Sequence, residues 1–156
     1  VRLEEARIHK EKSNALRNSI NSAMSMEETK AIKETAKEEQ KLYTKIKQSR
    51  WMLLENSSNL STSKSNQLED ILQNHERLAI CYVMKEEMSR LFELTDPKEA
   101  AIGWKNWFEA AKSSGIEPLV HFAELKEKRL PGLIAHAEYN ISTGRLEVNG
   151  KPSVPN

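Results

Sequence analysis

The sequence predicts an all-α protein, a multi-helix bundle, on three observations. Apolar residues recur at i, i+3 and i+4 through most of its 156 residues, the spacing that lines one side of a helix. No stretch shows the apolar–polar alternation of a half-buried strand. The segments between the apolar stripes hold residues that start or stop helices, including Ser25, Asp96-Pro97, Gly115 and Pro118.

Taken in order, residues 2–24 are helix-competent with weak periodicity. "MSMEE" marks a break, where Ser25 caps a new helix and Glu28 follows at the capping-box distance. From 27 to about 54, Ile32, Ala36, Tyr43 and Ile46 form one apolar stripe. "ENSSNLSTSKSN" (55–66) is a polar connector in which Ser61, Ser63 and Ser65 compete to cap the next helix. The clearest run, Leu68, Ile71, Leu72, His75, Leu78, Ala79, Tyr82 and Val83, predicts one helix reaching Leu91 and Phe92. Asp96 then caps and Pro97 takes the first helical position. This helix carries Ala100, Ala101, Trp104, Trp107, Phe108 and Ala111 inward and stops at Gly115. Pro118 opens a further helix with Leu119, Phe122, Ala123 and Leu125. Pro131-Gly132 kinks or breaks it, and Leu133, Ile134 and Ala137 resume the stripe. Ser142-Thr143-Gly144 reads as a turn. Three segments result: a basic helical segment 1–54, a helical domain 55–140 and a closing segment 141–156 with an irregular tail.

Several function classes are poorly served by these residues. No apolar run approaches the roughly 18–20 residues that cross a bilayer. The opening "VRLEEARIHK" lacks the apolar core of a signal peptide. A cytoplasmic protein with no membrane partner is expected, and Val1 in place of methionine reads as a fragment or processed piece. Cys81 is the single cysteine, so no internal disulfide forms, and it lies on an apolar stripe where a thiol is inert. His9, His75, His121 and His136 are far apart in sequence and show no metal-ligand spacing. The glycines are scattered, so no phosphate-cradling loop exists.

Net charge is only +1, but its distribution is informative. Lys30, Lys33, Lys37, Lys41 and Lys45 recur every three or four residues, and Lys47 and Arg50 extend them. Like charges at i,i+4 cost an isolated helix about 0.2–0.5 kcal/mol each. A polyanion such as DNA would offset that repulsion; a solvated face partly neutralised by Glu34, Glu38 and Glu39 is the other reading. Trp51 beside Arg50 either packs into the core or stacks on an unpaired base. Trp104, Trp107 and Phe108 share one face and read as core.

Ordered motifs from Arg50 onward resemble one family. "SRWMLLENSSNLS" matches Arg-Trp/Tyr-x-Leu-Leu-x-Asn followed by Leu-Thr/Ser at Arg50, Trp51, Leu53, Leu54, Asn56, Leu60 and Ser61. "NHERLAICYVMKEEM" supplies Asn74, Leu78, Tyr82, Lys85 and Glu86, with Cys81 and Met84 in place of the usual Ala and Leu. "WKNWFEAAKSSGIEP" fits a tryptophan-bearing helix followed by Ser-Gly-Ile. Ser142, Thr143, Gly144, Leu146 and Glu147 match Ser-Thr/Asn-Gly-x-Leu-Glu. Together these resemble the ISL-type insertion-sequence transposases of the DDE, RNase H-like class.

The resemblance implies that Glu147 is the last member of an Asp-Asp-Glu triad and a metal ligand, and that the helices before it form the insertion of an RNase H-like catalytic fold. It implies DNA as partner, bound through the lysine stripe, Arg50, Trp51 and Arg145, with room for a homo-oligomer in the complete transposase. Phosphoryl transfer of this kind uses Mg²⁺ ions held by converging carboxylates. Val148 stands where the family has glycine, Pro152 and Pro155 oppose a continuing basic helix, and the first two aspartates are not in the sequence. This chain alone is therefore expected to hold no Mg²⁺ and to be inactive. The alternative is a non-catalytic helical module that binds another protein or nucleic acid.

Overall fold

A computed structural model describes the backbone of residues 1–22 and 25–148, with side chains described through Tyr139. Among the described residues there is no strand, and the all-α expectation is borne out. The helices are α1 (Arg2–Asn18), α2 (Met26–Gln48), α3 (Arg50–Leu54), α4 (Thr62–Asn74), α5 (Glu76–Glu93), α6 (Pro97–Ser113), α7 (Glu117–Glu127) and α8 (Leu130–Val148). Short 3-10 turns occupy Ser19–Ser22 and Ser57–Asn59. The chain divides into two compact units, Val1–Ala79 and Ile80–Asn156, with the division inside α5.

In the first unit α1 and α2 are antiparallel. Their cross-contacts descend in step: Arg2 with Lys47, His9 with Glu39, Ser13 with Ala36. Small residues make the close approach feasible, since Ala6, Ser13 and Ala36 are all buried. The Ser13 hydroxyl donates to the Ala36 carbonyl across the interface at 2.9 Å, so this buried polar atom is satisfied. Ile46, Ile71 and Leu78 complete the core with Ala6, and Tyr43, Met52 and Leu53 pack on its edge.

The second unit is built on aromatic rings. Trp104, Trp107 and Phe108 of α6 are buried together with Met84, Ala111, Ala123, Leu133 and Ala137. Phe92 meets Trp104 edge-on at 5.0 Å, and Trp104 and Phe108 stack at 5.9 Å. The Trp107 indole N–H donates to the Met84 carbonyl at 2.8 Å, so the ring is buried without stranding its donor. The expected core role of Trp104, Trp107 and Phe108 is borne out, with Met84 and Phe92 of α5 packed against them.

The boundary residues act largely as expected. Ser25 accepts from the Glu28 amide, Ser61 from Lys64 and Asp96 from Lys98. Gly115 ends α6 at φ +67°, the left-handed conformation that side chains disfavour.

Four local expectations are corrected. The run 68–92 is two helices, because His75 leaves helical geometry at φ −137° and ψ 84°. Its ring Nδ1–H donates to the Ile71 carbonyl at 2.6 Å, taking the acceptor that a continuing helix would give to the His75 amide. The run 27–54 also divides, at Ser49, whose hydroxyl donates to the Ile46 carbonyl. Residues 142–144 are helical rather than a turn. Serine, threonine and glycine each cost at most about 1 kcal/mol inside a helix, which an established α8 outweighs before Pro152. Finally, α7 turns Ala123 inward and leaves Phe122 and Leu125 exposed, so its buried stripe is narrower than the apolar count implied.

Candidate nucleic-acid interface

The α2 helix places its cations by simple geometry. Ala36 and Ile46 are buried and Ile32 and Tyr43 half-buried, so the opposite side must face water. Lys30, Lys33, Lys37, Lys41, Lys45 and Lys47 are all exposed, as is Arg50 at the start of α3. Among the described residues no ion pair engages Lys30, Lys33, Lys37 or Lys41. Lys45 approaches Asp70 of α4 at 3.8 Å, with both side chains largely exposed, so solvent screens that pair. Lys47 donates to the Tyr43 hydroxyl at 3.2 Å and lies 5.5 Å from its ring centroid. That hydrogen bond favours the phenolate and lowers the Tyr43 pKa from its ordinary value, although partial desolvation opposes it.

Trp51 is not a core residue. It is 71% exposed, whereas Trp104 and Trp107 are 1% and 5% exposed. The Arg50 guanidinium sits 5.2 Å from its ring centroid. Beside it lies a groove of about 830 Å³, lined by Trp51 itself with Met52, Ile71, Lys45, Lys64, Asn66, Gln67 and Asp70 among others.

The side chains of Arg145 and Glu147 lie outside the described residues; the backbone at both positions belongs to α8. The lysines, Arg50 and Trp51 all belong to the first unit, where Lys45 and Trp51 line one groove and Arg50 lies over the Trp51 ring. Among the described residues no group of three or more His, Cys, Asp or Glu side chains could hold a metal ion. No described helix is long and apolar enough to cross a membrane.

One polar cluster was not legible in the sequence. His9 Nδ1 contacts the Glu39 carboxylate, and His9 Nε2 lies 2.7 Å from His75 Nε2, with both rings buried. Two ligands 2.0–2.1 Å from a tetrahedral zinc would be roughly 3.3–3.4 Å apart, so this spacing is a hydrogen bond rather than a metal site. Three contacts, Glu39–His9, His9–His75 and His75–Ile71, need three protons, and the last must come from His75 Nδ1 because a carbonyl only accepts. The cluster is then neutral overall: a carboxylate with one imidazolium, or a carboxylic acid with two neutral rings. A weak sequence signal did exist. His9 sits between Ala6 and Ser13 on one helix face and His75 within the stripe from Leu68 to Leu78, and polar groups on inward faces must find partners.

Comparison with known proteins bears on this surface. A family model described as a transposase, of the DDE class and ISL3 type, matches residues 8–151. The transposase for insertion sequence element IS1001 of Bordetella parapertussis is 35% identical over 102 residues, which cover 65% of this chain and 25% of that protein. This chain thus spans about a quarter of the curated relative it matches. No solved structure matches it. The family match begins at residue 8, so it takes in the basic helical segment as well as the motifs after Arg50.

Proposed function

The chain belongs to the ISL3-type family of DDE transposases, and we propose that within the complete enzyme it supplies a DNA-backbone contact surface and the final catalytic glutamate. The observation that carries the first part is the exposed cationic side of α2, where Lys30, Lys33, Lys37 and Lys41 project from a helix whose other side is buried. Such a row neutralises successive phosphates and releases counterions, giving affinity without sequence preference. Lys45, Lys47, Arg50 and Trp51 continue it, and Arg145 is a further contact in this reading.

Replacing Lys30, Lys33 and Lys37 by glutamine tests it. Binding of duplex DNA should weaken, and the slope of log K against log salt should flatten by about 2–3 units. An unchanged slope would remove α2 from the contact surface.

For the second part, enzymes of this class use a divalent cation such as Mg²⁺. The described residues do not assemble a site for one. In our reading Glu147 is one oxygen ligand and the other two carboxylates belong to the remainder of the enzyme, with the helices before Glu147 acting as the insertion in an RNase H-like catalytic fold. The support is the Ser142-Thr143-Gly144-x-Leu146-Glu147 match together with the family match across it. In the complete transposase, Glu147→Gln keeps the side-chain size and removes the charge. It should abolish strand cleavage and leave DNA binding intact. Cleavage at the unmodified rate would show that this carboxylate is not catalytic.

A further inference from the structure

We infer that the groove beside Trp51 takes one unpaired nucleotide of single-stranded DNA, its base stacked on the Trp51 indole. This inference rests on the DNA-binding reading above and goes beyond it by assigning a site and a strand state. Of the three tryptophans, two are buried in the second unit and one is left in water. An indole exposed to this extent forgoes the burial that normally holds it, and the Arg50 guanidinium lies over its ring, 5.2 Å from the centroid. Arginine, an open aromatic face and a neighbouring row of lysines are the parts of a stacking platform for single-stranded nucleic acid.

The groove walls narrow the occupant further. Asn66 and Gln67 offer amides that both donate and accept, the pattern that reads a base edge. The lining holds two cations, Lys45 and Lys64, against one carboxylate, Asp70, leaving one cation in excess for a phosphate. The volume, about 830 Å³, lies within the usual range for small-molecule sites. An apolar protein segment fits less well, because Lys45, Lys64 and Asp70 line the groove and their charges would have to be desolvated. A paired base fits poorly too, because both its faces are already stacked in the duplex.

The buried state of Trp104 and Trp107 makes Trp51 the natural fluorescent reporter of this chain. A single-stranded oligonucleotide of mixed sequence should quench its emission saturably, and the same sequence as duplex should not. By anisotropy of the labelled oligonucleotide, Trp51→Ala should weaken single-strand binding about 5- to 150-fold, the span expected for losing one base–aromatic stack. Duplex binding should fall far less, because the α2 lysines carry most of it, and Trp51→Phe should restore most of the single-strand affinity because a π face returns. Equal losses on both DNA forms, or no quenching by the single strand, would overturn the inference. So would quenching that depends on protein concentration without DNA, which would mean a second copy covers the indole. If duplex binding through the α2 lysines persists while Trp51 stays silent, this inference alone falls. If neither DNA form binds, the α2 reading falls with it.

Discussion

Between α1 and α2, the interior of the first unit consists of Ala6, Ser13 and Ala36 with a Glu39–His9–His75 chain. In the second unit the corresponding place is filled by Trp104, Trp107 and Phe108. The two interiors hold helices together by different means. Aromatic rings contribute large buried areas, about 150–250 Å² each, and tolerate several arrangements. Small side chains contribute little area, and the directional contacts between them fix register: a one-residue slip of α1 would separate Ser13 from the Ala36 carbonyl and His9 from both its partners. The first unit places no buried aromatic hydrocarbon ring inside, its larger core side chains being the aliphatic Ile46, Leu68, Ile71 and Leu78, and its outer side is the one that carries the lysine row and Trp51.

The strongest way to break this comparison is to empty the aromatic core. Trp104→Ala should cost about 3–5 kcal/mol of stability. Amide hydrogen exchange would locate the loss in α6 and the elements packed on it, with protection in α1 and α2 retained. A loss spread equally over both units would mean that the two interiors are not separate sources of stability.

The polar chain should respond more weakly and more selectively. Glu39→Ala leaves the buried His9 Nδ1 without its partner and should cost about 1–3 kcal/mol, the range for an unsatisfied buried group. Glu39→Gln should recover much of that. The amide donates to His9 Nδ1, His9 Nε2–H donates to His75 Nε2, and His75 Nδ1–H still donates to Ile71, so three protons again serve three contacts. Denaturant unfolding of the two variants decides it. Equal destabilisation by Ala and Gln would mean that the carboxylate charge, rather than the hydrogen-bond count, holds the chain together.

The same contrast explains what the sequence made legible. Contacts local to one helix were readable, because a face repeats every three or four residues and a cap lies within three residues of the amide it caps. Hence the α6 face, the caps at Ser25 and Asp96, and the lysine row of α2 were all visible, while Ser61 was one of three competing serines. Contacts between distant residues were not. Glu39 lies 30 positions from His9 and His75 lies 66 from it, and nothing at His75 alone announces that its ring will break the 68–92 run. Trp51 was ambiguous for a related reason. A tryptophan on a short helix is buried or exposed according to what packs on it, and here α4 leaves a groove instead of a lid. The family motifs pointed to Glu147 as a position, but its ligand role depends on carboxylates that the described residues do not bring together.

The smallest expected effect separates the units through one tyrosine in each. Tyr43 accepts a hydrogen bond from Lys47, and with Lys10 also nearby its pKa is lowered. Tyr82, in α5, is shifted the other way, first by burial and then by the Glu86 carboxylate. In an alkaline titration followed by phenolate absorbance, Tyr43 should therefore ionise before Tyr82, with Tyr43→Phe and Tyr82→Phe variants assigning the steps. Lys47→Met should delay the Tyr43 step and leave the Tyr82 step in place, because it removes a donor that only Tyr43 uses. Ionisation of Tyr82 first would mean that the Lys47 ammonium does not hold its place beside the Tyr43 hydroxyl in solution, and Lys47 would then lose its fixed position at the end of α2.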